Sequence, residues 1–123
     1  MKTLNLTLKK EWFDMILSGE KKEEYREVKD YWMKRIAGLQ GCGTGYNFTI
    51  LRDNGFNQIK HVFDKVVFKN GYSKDAPSIE VECKGVVVDE GKGKWGAPNY
   101  KVFVIKLGKI IKTENIAQDL QSI

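Results

Sequence analysis

Residues 100–107 are apolar on both faces of an extended chain, with Val102 and Val104 opposite Phe103 and Ile105. A strand of that pattern has to be covered from two sides, which places it inside a sheet or barrel. Residues 78–88 supply a neighbour by period-two alternation: Ile79, Val81, Cys83 and Val87 face one way, and Glu80, Glu82 and Lys84 face the other. Residues 62–69, rich in Val and Phe, stop at the turn pair Asn70-Gly71. Gly108 predicts a break or bulge in the last strand, which residues 109–111 extend.

The N-terminal third reads differently. Residues 3–8 predict a short strand with Leu4, Leu6 and Leu8 on one face, after which Thr7 is placed to cap a helix over 9–18. Leu8, Trp12 and Ile16 lie four apart, as do Phe13 and Leu17, and Gly19 suits a left-handed stop. Residues 22–28 then form a very polar strand, followed by a second amphipathic helix over about 30–37 that turns Trp32, Ile36 and Leu39 inward. The expected fold class is α+β: a small β-barrel or strongly curved mixed sheet with two N-terminal helices. A barrel this small is filled by side chains, so a ligand is expected in a rim cleft.

The 123 residues suffice for one domain, 1–123. Lys plus Arg outnumber Asp plus Glu by 21 to 16, a modest bias toward anionic partners. No apolar run approaches the ~20 residues of a membrane span, and none has the character of a signal peptide, so a cytoplasmic protein without membrane contact is expected. Cys42 and Cys83 read as isolated packing thiols. With the lone His61 they form no ligand cluster, so no metal or cofactor is implied. The run Gly41-Cys42-Gly43-Thr44-Gly45 fits neither nucleotide-loop spacing and reads as a loop leading to the Asn54-Gly55 turn.

The least ordinary segment is Gly19-Glu20-Lys21-Lys22-Glu23-Glu24-Tyr25-Arg26, a Gly-x-Lys-x-x-Glu-x-Arg pattern directly after a helix. Leu6-Thr7-Leu8, Trp12 and the strand from Val102 to Gly108 accompany it in order. With this motif the chain resembles the ASCH domain family, a relative of the PUA RNA-binding domains, along nearly its whole length. Phe68-Lys69-Asn70-Gly71-Tyr72 and Trp95-Gly96 look like features of a small branch common in phage and gut-bacterial genomes.

On the residues alone, Glu24 and Arg26 are same-face neighbours on a strand, and Lys21 swings from the turn toward them. Such a group suits a polar anionic ligand, or is a solvated charged face. The resemblance implies an RNA- or nucleotide-binding cleft lined by Lys21, Glu24 and Arg26. Between Gly91 and Thr113 lie six lysines and no acid, with Trp95 and Tyr100 interleaved. Lys94 and an exposed Trp95 are candidates for phosphate and base contact, and Tyr72 beside its turn is a further stacking candidate. Lysine along a strand edge is the alternative reading of that run.

The resemblance also implies, as an alternative, a metal-independent amidohydrolase acting on an acylated cytidine nucleoside, with Lys21 and Glu24 as its catalytic candidates and Lys21 as base. There Glu24 stands where the family places a threonine nucleophile, and Thr44 or Thr49 would have to replace it. A protein-interaction module in a phage context, anchored by a surface Trp95, is the third alternative.

Overall fold

The computed structural model describes residues 2–37 and 63–116. Five strands form one mixed sheet: β1 (Thr3–Thr7), β2 (Glu23–Arg26), β3 (Lys65–Lys69), β4 (Ser78–Glu90) and β5 (Lys101–Glu114). Their order is β1-β3-β4-β5-β2, with β1 parallel to β3 and the other pairs antiparallel. The sheet curls into a half-barrel whose edge strands are β1 and β2. Side chains link these edges: Arg26 Nη2 on β2 donates to the Thr7 carbonyl at 3.3 Å. Arg35 Nη2 donates to the Asn5 carbonyl at 3.0 Å. These alternate carbonyls of β1 point away from β3, so two guanidiniums occupy acceptors that an open edge would offer to another chain.

β5 lies between β4 and β2, and Val102, Phe103, Val104 and Ile105 are all buried, as a strand apolar on both faces requires. Gly108 bulges the strand without ending it: the register against β4 shifts between the Val81–Ile110 and Cys83–Leu107 pairs, as the bulge expectation has it. β5 continues to Glu114, and a Cβ at Gly108 would collide with the Glu82 carboxylate, so the glycine serves close approach of β4. On β4 the expected alternation holds through Ile79, Val81 and Cys83 and then changes phase. Val86 and Val88 are buried, and Val87 is not on their face. Register shifts between Glu80 and Gly85 reset the inward set, and Gly85 takes a φ of +143° there.

Helix α1 (Lys10–Leu17) buries Phe13 and Ile16 against the sheet, with Trp12 and Leu17 partly buried beside them. Its cap position is Lys9 rather than Thr7, without a side-chain bond. Against the expectation of two N-terminal helices, α1 alone among the described residues is of any length. The second is a single turn, α2 (Asp30–Trp32), that widens into a π-helical turn over Met33–Ala37. So short a helix has no stability of its own, and its geometry follows its contacts, here the fully buried Met33 and Ile36. Leu39, the glycine-rich run 38–45, Cys42, Thr44, Thr49, the Asn54-Gly55 turn and His61 lie outside the described residues.

Candidate functional site

The site begins where α1 stops. Gly19 takes a left-handed φ of +86°, its N–H donates to the Ile16 carbonyl, and the Lys21 N–H donates to the Met15 carbonyl. This reversal turns Lys21 inward, and only 1% of it is exposed. Its Nζ donates to the Trp95 carbonyl at 2.6 Å and lies 3.3 Å from Glu24 Oε1. The rings of Tyr25 and Trp12 flank the ammonium at 4.8 and 5.3 Å.

Glu24 joins two cations. Its second oxygen, Oε2, accepts from Arg26 Nη2 at 2.7 Å. The i, i+2 spacing on β2 puts both side chains on one face. The Arg26 guanidinium also lies 5.0 Å from the centre of the Trp32 ring. Its Nε is buried and has no hydrogen-bond partner among the described residues. Two cations on one carboxylate leave this buried cluster with a surplus positive charge. Burial pushes the Lys21 ammonium below its ordinary value, and the opposing pull of Glu24 does not restore it.

The chain from Gly91 to Ala97 lies over this cluster. Tyr25 hydroxyl donates to Glu23 Oε1 at 2.7 Å and accepts the Lys92 N–H at 3.0 Å. Burial pushes that phenol well above its usual range. A Cβ on Gly91 would collide with the Tyr25 ring and with Ala97, and one on Gly96, at φ +97°, would stand 3.1 Å from Trp12. Beside this loop opens a cleft of about 310 Å³, walled by Tyr25, Arg26 and Glu27 on one side and by Gly96, Pro98 and Tyr100 on the other. A larger hollow of about 560 Å³ lies between α1 and the end of β5, where the charged groups Lys10 and Asp14 pair with each other.

Lys21, Glu24 and Arg26 therefore converge, but as an inner cluster: of the three, only Arg26 reaches the cleft wall. Trp95 is not the exposed stacking ring expected. It is 8% exposed, with the Lys94 and Lys92 ammoniums 5.0 and 5.4 Å from its ring centre. Its carbonyl, not its ring, meets Lys21. Burial likewise removes it as a surface anchor for a protein partner. Lys94 stays exposed next to the loop. Tyr72 is almost fully exposed but precedes the start of β4, whereas the cleft adjoins the far end of that 13-residue strand. The exposed aromatic that lines the cleft, beside the part-buried Tyr25, is Tyr100. Its place at the entry to an apolar strand, amid lysines, was the signal for it.

Among the described residues no group of three or more His, Cys, Asp or Glu is placed to hold a metal ion. No helix among them is long and apolar enough to cross a membrane. No family model matches the chain, and neither a curated protein nor a solved structure matches it significantly.

Proposed function

We propose that the protein is an RNA- or nucleotide-binding domain of the ASCH type, PUA-like in architecture, with the 310 Å³ cleft beside β2 as its receptor. One observation carries this reading. Arg26 stands on the cleft wall with its guanidinium oriented by Glu24, the Thr7 carbonyl and Trp32. A guanidinium fixed in this way is prepared for the planar oxygens of a phosphate or base edge. The cleft is of the size that takes a single nucleotide-like group. Tyr100 offers a ring for stacking, and the surplus charge of the inner cluster, with Lys92 and Lys94 nearby, favours an anion.

The test is binding of labelled single-stranded RNA by fluorescence polarisation at two salt concentrations. Affinity is expected to fall as salt rises. Arg26→Ala is expected to weaken binding at least about tenfold, and Tyr100→Ala, on an exposed side chain, by about five- to tenfold. A folded wild-type protein that binds no RNA or nucleotide at low salt overturns the reading.

The amidohydrolase reading has one observation in its favour: burial lowers the proton affinity of Lys21, as a general base requires. Against it, the Lys21 ammonium is sealed from solvent and committed to Glu24 and Trp95. Incubation with acetylcytidine decides between them, since release of cytidine would establish the hydrolase.

A further inference from the structure

We infer that the exposed ring of Tyr31 is a second stacking platform, so that the ligand of the cleft is a single-stranded oligonucleotide covering at least two adjacent nucleotides. This rests on the reading of the cleft given above. Tyr31 is 57% exposed, yet it is fixed from several sides. It meets Trp32 edge-on, with ring centres 4.7 Å apart at 86°. The Arg35 guanidinium lies 5.6 Å from its ring centre and 5.3 Å from that of Trp32. Arg35 Nη1 donates to the Tyr31 hydroxyl at 3.2 Å, while Nη2 is anchored on the Asn5 carbonyl of β1. An exposed aromatic held this way loses little freedom when a base lies on it, which is the condition for efficient stacking.

The platform is joined to the cleft through Trp32. Arg26, on the cleft wall, stacks 5.0 Å from the centre of that ring, whose edge-on neighbour is Tyr31. Those two contacts hold the Tyr31 ring within about 10 Å of the Arg26 guanidinium, a reach that a neighbouring nucleotide covers. Exposed Lys29, Lys34 and Arg35 bracket Tyr31 in the chain and supply phosphate attraction beside it. A free mononucleotide seated in the cleft has no second base to place there.

The experiment compares a seven-nucleotide single-stranded RNA of mixed sequence with the four nucleoside monophosphates, on wild-type protein, Tyr31→Ala and Tyr31→Phe, each checked for folding by circular dichroism. Tyr31→Ala is expected to weaken heptamer binding about tenfold and to leave monophosphate binding unchanged, while Tyr31→Phe stays within about twofold of wild type for both. Equal heptamer affinity for wild type and Tyr31→Ala overturns the platform and leaves the cleft standing. So does a wild type that binds monophosphates as tightly as the heptamer. Equal loss for both probes also overturns it, because Tyr31 would then act only by supporting Trp32 and Arg26. If the wild type binds neither probe, the cleft reading falls and takes the platform with it.

Discussion

The Lys21 ammonium lies 2.6 Å from the Trp95 carbonyl oxygen and ties the turn after α1 to a loop 74 residues later. That contact holds the 91–97 loop over Tyr25, and the loop in turn forms one wall of the cleft. Lys21→Met keeps the apolar stem but leaves the carbonyl without its donor and Glu24 with Arg26 alone. The expected loss is about 2–3 kcal/mol at neutral pH, read as a lower urea midpoint.

The same pair of proteins carries a pH signature. Burial lowers the Lys21 ammonium from 10.5 in the folded chain, so between the lowered value and 10.5 the unfolded chain binds more protons. Stability contributed through Lys21 therefore rises with pH across that window. Urea midpoints of wild type and Lys21→Met, measured from pH 7 to 10.5, are expected to separate further in favour of the wild type. A constant gap would mean that Lys21 is not held low.

Glu24 bridges Lys21 and Arg26, so its energy is shared among the three and does not belong to any one pair. Glu24→Gln leaves the buried Lys21 ammonium and the part-buried Arg26 guanidinium without the carboxylate between them, and Lys21→Met relieves that repulsion. The double variant is expected to be more stable than the sum of the single losses predicts, by about 1–3 kcal/mol in a denaturation cycle. Additive losses would show that the cations do not sense each other through the carboxylate.

The parts of this molecule legible in sequence are those fixed by local periodicity. The two-faced pattern of Val102 to Ile105 placed β5 inside the sheet, and Gly19 marked the end of α1. The spacing of Lys21, Glu24 and Arg26 brought the three together because a helix stop and a strand pleat set their directions within six residues. Burial depending on distant chain was not legible. Trp95 looked exposed amid lysines, but its position follows from a carbonyl reaching Lys21 and from lysine side chains standing over its ring. The change of phase on β4 escaped for the same reason, since a bulge is a property of two paired strands. The length of α2 was set by what Met33 and Ile36 pack against, not by helix propensity.

Cys83 lies in the core, 6% exposed, and burial raises its thiol above the ordinary value. A thiol that is both protonated and covered is a poor nucleophile. In a Cys42→Ser variant, which leaves Cys83 as the only thiol, reaction with a disulfide reagent is expected to run at least about 100-fold slower in native buffer than in denaturant. Fast native labelling would mean that β4 opens readily around its bulge.

Gly91 and Gly93 sit two residues apart and face opposite demands. A Cβ at Gly91 would meet the ring of Tyr25, which Glu23 and the Lys92 amide hold in place, and the methyl of Ala97. Neither neighbour retreats easily, so Gly91→Ala must move the ring or lift the loop, at a cost of about 1–3 kcal/mol. Because Tyr25 also stands over the Lys21 ammonium and walls the cleft, the same change is expected to weaken RNA binding severalfold. Gly93 has open space where its Cβ would be, so Gly93→Ala is expected to be neutral in both stability and binding. Thermal melts and RNA titrations on the two variants separate the readings. Equal behaviour of Gly91→Ala and Gly93→Ala would show that the loop does not rest on Tyr25, and the cleft would then lack the fixed wall that orients its ligand.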